Sequence, residues 1–162
     1  MRYTTGFTLI ELMIVVAVIA IIAGIAVPNF LRSRMSANEA AAAGSMRTIS
    51  LAEVGFQASA FVDNDGNGEG DYGTLAQLAN PDGAGVVQPF VDSVLATGQK
   101  LGYSFNINVT LGGPGVAPAY TCTSAPTQMG ITGYRQFYVD VMGLIRFTVD
   151  GSVPNANSPP LE

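Results

Sequence analysis

Gly6-Phe7-Thr8-Leu9-Ile10-Glu11-Leu12 opens a stretch that stays almost wholly apolar to Val27. The run from Phe7 to Val27 is 21 residues, and only Thr8 and Glu11 in it are clearly polar. As a helix it spans roughly 31 Å, about the thickness of a bilayer core. Ile, Val, Ala and Leu surround the whole helix, so it has no polar face of the kind a surface helix carries. Such a segment belongs in lipid or at the centre of an all-helical assembly. A carboxylate at that depth is expensive and marks function, with a partner to be named.

A secretory signal is the plain alternative. Its apolar region is about 7–15 residues and ends at a small-x-small site. Here the run is longer, holds a carboxylate near its start, and offers only Gly24-Ile25-Ala26 as a weak cleavage site.

Gly6 followed by Phe7-Thr8-Leu9-Ile10-Glu11 resembles the leader junction of type IV pilins and of the pseudopilins of type II secretion. The resemblance covers Met1 to about Arg34. It implies that a prepilin peptidase cuts after Gly6 and that Phe7 becomes the methylated first residue. It places Glu11 fifth in the mature chain, where the family keeps its glutamate, and Pro28 at the family's helix-weakening proline. It further implies an inner-membrane, single-pass protein with its head on the outer, periplasmic side, later drawn into a pilus or pseudopilus. Like subunits and an inner-membrane platform protein are its implied partners.

Physical chemistry supports the role of Glu11. The amine exposed at Phe7 stays cationic when singly methylated, and a neighbouring subunit shifted along the filament axis brings its own Phe7 amine to this Glu11. Each charge alone is costly in an apolar core; paired, they neutralise one another and set register, as a lone polar group does in a coiled coil. A competing reading has Glu11 merely favouring the positive end of its own helix, worth about 0.3–1 kcal/mol. That is less than the roughly 2.5–3.5 kcal/mol that insertion scales assign to a charge at a helix centre. Arg32 and Arg34 follow the run and only Arg2 precedes it. Basic-residue counting would therefore put the carboxyl-terminal side inside the cell, against the family topology.

From Pro28 to about Phe61 the pattern remains helical. Met35, Ala42, Ile49 and Phe56 recur every seven residues, widened by Met46 and Ala60, while Leu51, Val54 and Phe61 form a second apolar edge. One edge suits the chain's own head and the other suits neighbouring subunits. Pro28 removes a helix hydrogen bond.

The rest predicts an α+β protein: a long amino-terminal helix, its first half transmembrane and its second half laid on a small antiparallel sheet. The divisions are a leader at 1–6, a transmembrane and assembly helix at 7–27, its periplasmic continuation at 28–61 and a globular head at 62–162. Tyr103, Phe105, Ile107, Val109 and Leu111 alternate with polar residues, so 101–111 reads as a half-buried strand. Residues 135–141 and 144–149 read as a hairpin about Met142-Gly143. A short helix is expected at 74–79. Gly112–Gly130 reads as a long Pro-rich excursion and the tail from Pro154 as loose.

Composition excludes other classes. The chain has no histidine and one cysteine, Cys122, which removes Ser-His-Asp and Cys-His catalysis, ordinary zinc sites and any internal disulfide. The net charge of −5 and the scattered basic residues give no footprint for nucleic acid. An enzyme is not expected. The acidic loop 63–73 is the calcium candidate. Asp63, Asp65, Asn67 and Asp71 stand at positions 1, 3, 5 and 9 of an EF-hand-like loop, with Gly68 at the sharp turn. Thr74 replaces the bidentate glutamate of position 12, and a solvated acidic turn is the equal alternative. The function expected is that of a filament subunit. The rival is a membrane-anchored binding module or adhesin that never polymerises and needs neither Gly6 nor Glu11.

Overall fold

The computed structural model describes residues 6–161 and divides into two compact units, the boundary falling between Arg34 and Met35. Helix α1 (Leu9–Ala58) is the one long element and carries Pro28 in its interior. Up to Arg34 every described residue is exposed. From Ala42 the helix buries a stripe made of Ala42, Met46, Ile49, Ala52, Glu53 and Phe56. The heptad stripe expected from the sequence is therefore the buried face from Ala42 to Phe56, while Met35 is half-buried and Ala60 exposed. Leu51 and Val54, on the second apolar edge, stay 75% and 57% exposed.

The second unit is a meander of five antiparallel strands in sequential order. They are β1 (Gln99–Lys100), β2 (Tyr103–Thr110), β3 (Ala119–Pro126), β4 (Gln136–Asp140) and β5 (Arg146–Thr148). Two short helices, α2 (Leu75–Ala79) and α3 (Ser93–Ala96), precede the sheet. Thr74 and Gln77 close a reciprocal capping box on α2, the arrangement that satisfies two otherwise orphaned amides. Asp92 caps α3 through the Val94 and Leu95 amides.

Three sequence readings need correction. Residue 101 does not begin a strand: Leu101 and Gly102 both have positive φ, 49° and 77°. Between β1 and β2 they make the two-residue turn whose twist matches paired strands. The excursion at 112–130 contains β3, which pairs along eight residues with β2 and four with β4. Its inward residues, Tyr120, Cys122 and Ser124, are mostly small or polar, so no apolar alternation announced it. The small side chains let α1 come close: Cys122 Sγ lies 3.7 Å from Met46 Sδ, and the Tyr120 hydroxyl donates to Ser50 Oγ at 3.1 Å. The tail is not loose. The Phe147 amide donates to the Pro159 carbonyl and the Leu161 amide to Ile145, so the tail covers the outer edge of β5.

The core joins the α1 stripe to Leu78, Leu95, Tyr103, Phe137 and Val139, all essentially solvent-free. Gly133 is required by close approach: a Cβ there would lie 2.1 Å from the Tyr103 hydroxyl, which donates to the Arg135 carbonyl at 2.9 Å. The free thiol of Cys122 is buried, and burial pushes its pKa to about 12, so it is an inert small residue.

Candidate functional site

The candidate site is the start of α1. Gly6, Phe7 and Thr8 lie before the helix in non-helical backbone, and Phe7 is 85% exposed. A peptide bond in extended, open chain is what a processing peptidase needs. Residues 1–5, the rest of the expected leader, lie outside the described residues.

Glu11 occupies the third helical position, with Thr8 as the cap. Its Oε2 accepts from the Thr8 amide at 3.0 Å and from the Thr8 hydroxyl at 2.6 Å, while Thr8 Oγ1 accepts from the Glu11 amide at 3.3 Å. This is a capping box, and Thr8-x-x-Glu11 is its sequence signature. Sequence reasoning weighed Glu11 against the helix dipole and overlooked the threonine three residues before it. In the single chain, then, the carboxylate bonds to its own helix start. It remains exposed and holds lone pairs open to a further donor.

Around and beyond Glu11, the large apolar residues from Leu9 to Leu31 are exposed by about half or more. The helix is long and apolar enough to cross a membrane, and none of its most apolar window is buried. An unpartnered apolar surface of this size marks a membrane or assembly site. Pro28 lies in this helix without ending it. Lacking an N–H, it leaves the Gly24 carbonyl without its helical donor. Gly24 itself has no neighbouring atom within 4 Å where a Cβ would stand, so its own residue type adds no packing. Two weakenings therefore fall on one helical turn.

The acidic loop is built differently from a cation cage. Asp63 accepts from the Gly66 and Gly68 amides at 2.8 and 3.0 Å, and chiefly the Gly68 bond holds its carboxyl below the usual carboxylate range. Asp65 accepts from the Asn67 amide and side chain. The Asn67 oxygen accepts from the Glu69 amide at 2.6 Å. Asp71 is buried and accepts from the amides of Asn64 and Gly112, which ties the loop to the chain after β2. Among the described residues no three acidic, cysteine or histidine side chains converge as a metal site. The four oxygen-bearing residues expected to hold calcium accept hydrogen bonds here, mostly from backbone amides of the loop and its neck.

One polar residue escaped the sequence reading. Glu53 is wholly buried on the α1 stripe, its Oε2 accepting from the Gly73 amide at 2.9 Å. The signal was available: Glu53 stands seven residues after Met46 and seven before Ala60, on the apolar line itself.

Comparison with known proteins bears on the amino-terminal segment alone. A family model described as the prokaryotic N-terminal methylation motif matches residues 1–27. A type IV wide pilus major component, PilA4 of Thermus thermophilus, is 56% identical over 39 residues, 24% of this chain and 30% of that protein. The type IV major pilin protein PilA of Myxococcus xanthus is 45% identical over 51 residues, 32% of this chain and 23% of that one. The chain thus spans less than a third of the length of these curated relatives. No solved structure matches it. The chain thus carries the prokaryotic N-terminal methylation motif, and its amino-terminal segment is similar to those of type IV pilins.

Proposed function

We propose that this protein is a structural subunit of a type IV filament, polymerising through α1 after cleavage behind Gly6 and methylation of Phe7. One observation carries the proposal: an apolar helix, exposed throughout its first half, bears a single carboxylate within one turn of the expected new amino terminus. Both relatives named above are pilus components by description, which favours a pilus over a secretion pseudopilus. Before assembly the segment sits in the inner membrane as a single span. In the filament the same apolar surface is covered by the helices of like subunits. Glu11 sets axial register by accepting the Phe7 amine of an adjacent subunit, Pro28 with Gly24 lets the helix loosen locally, and Leu51 and Val54 offer a second packing edge. The prepilin peptidase and an inner-membrane platform protein are the partners this reading requires. No catalytic role is assigned.

The capping box favours a second reading, in which Glu11 serves only its own helix and the protein is an anchored, non-polymerising binding module. Glu11→Gln separates the two. Glutamine keeps the capping bond and removes the charge. Loss of filaments with the membrane-inserted monomer retained supports the register pair; filaments at wild-type abundance would sink it. Mass spectrometry of the native protein tests processing directly: a mature chain starting at methylated Phe7 is expected, and one starting at Val27 or later overturns the assignment.

A further inference from the structure

Glu53 is a buried carboxyl that filament assembly does not use. Its Oε1 is buried with no hydrogen-bond partner, while Oε2 accepts from the Gly73 amide alone. The two ion pairs among the described residues, Lys100–Asp92 and Arg135–Glu39, do not include it. A charge so placed has lost its water and gained one donor, an unfavourable exchange. Desolvation accordingly raises its pKa to about 7. The titratable groups that face it are Tyr72 from the loop side and Tyr120 and Cys122 from β3. Burial holds all three above their ordinary values, at about 12 for Tyr120 and Cys122, so none changes charge alongside Glu53 near neutrality.

The single donor, Gly73, ends the segment that leaves α1 and returns to it. Gly70 to Gly73 are buried, whereas Asn64 to Glu69 are exposed. The return is tight. A Cβ at Gly70 would lie 2.1 Å from the Gln57 carbonyl oxygen, and one at Gly73 would lie 3.0 Å from the Phe56 ring. The Asp71 amide donates to the Val62 carbonyl at 2.7 Å, closing the loop's neck.

We propose that Glu53 is a proton-operated latch: as the neutral acid it seats Asp71–Gly73 against α1, and its ionisation loosens that segment. Ionisation strengthens the one bond to Gly73, but it leaves Oε1 as a charged, unpartnered atom against tyrosine rings and a thiol. Freeing the segment to admit water relieves that. The direction with pH follows from the sign of the shift. The folded pKa lies above the ordinary 4.5, so the folded state holds the proton more tightly than the open one. Seating is strongest below about pH 4.5, weakens as pH rises toward 7, and levels off above. The inference is independent of the filament assignment.

The test uses the full chain in detergent micelles. Amide hydrogen exchange at Gly73 and Asn64, corrected for base catalysis, reports the opening equilibrium. Between about pH 5 and pH 8 opening increases on the order of tenfold or more in the wild type and stays flat in Glu53→Gln. Infrared spectroscopy of the wild type supplies a second readout that needs no folded variant: a buried carboxylic-acid stretching band present near pH 5.5 and gone by pH 9. Exchange protection that does not vary with pH, a Glu53→Gln protein with the wild-type slope, or absence of the acid band at the lower pH would each overturn the latch.

Discussion

Two glutamates on one helix meet opposite surroundings. Glu11 is exposed and accepts two hydrogen bonds from Thr8, whereas Glu53 is buried and accepts one, with an oxygen left over. Their flanking helix halves differ the same way. Among the described residues before Arg34 none is covered by the chain, while from Ala42 a full stripe is. The lesson is that an apolar sequence does not say what covers it. The second half is satisfied by its own sheet; the first must be satisfied from outside, by lipid or by other copies. A carboxylate in the first half therefore finds only its own helix start within the chain, whereas one in the second half has its surroundings set by the fold.

The comparison breaks most visibly at Glu11. Glu11→Gln should reduce sheared filaments on the order of tenfold or more, with the level of inserted monomer unchanged. Immunoblotting of filament and membrane fractions checks it. If the charge matters only as a cap, the two fractions will match the wild type.

Asp71 is the next largest. Asp71→Ala strands the Asn64 and Gly112 amides beneath the loop and should destabilise the head by about 3 kcal/mol. A correspondingly lowered melting temperature is the readout. Asp65→Ala, on the exposed part of the same loop, should stay within about 0.5 kcal/mol. Millimolar calcium should leave both the wild type and Asp65→Ala melting where they did without it. A calcium-dependent rise that Asp65→Ala abolishes would show that the loop rearranges into a cation site.

Glu53 sharpens the contrast through pH. Its raised pKa makes head stability fall as pH climbs between about 4.5 and 7, by at most about 1.4 kcal/mol per unit. Glu53→Gln should flatten that slope, so that at pH 8 the variant melts no lower than the wild type. The smallest effect concerns the exposed edge. Leu51→Ala should change monomer stability by no more than about 0.5 kcal/mol yet reduce filament yield. Unchanged yield would remove Leu51 from the packing surface.

Much of the architecture was readable in the chain. The apolar run, the heptad stripe Met35-Ala42-Ile49-Phe56 and strands β2, β4 and β5 each carry a strong local period, and local periods survive without knowledge of neighbours. The capping box was readable too, as Thr8 three residues before Glu11, but a stronger claim on that glutamate hid it. Strand β3 was hidden for a different reason. Cys122 and Ser124 face inward because α1 lies close above them, so closeness replaces bulk and the alternation vanishes.

What the linear order settles here is everything set by adjacency along the chain: a helix of bilayer length, its lone carboxylate, a glycine at the expected processing junction, and amphipathic segments of period two and seven. What folding adds is everything set by distance in space. The acidic spacing 63-65-67-71 is visible in the chain, but only the fold shows that backbone amides donate to all four side chains. Glu53 stands on an apolar line, but its isolation depends on Tyr72, Tyr120 and Cys122 arriving from elsewhere. Hydrophobic periodicity is summed along one element, whereas the solvation and charge state of a side chain depend on every element that closes around it.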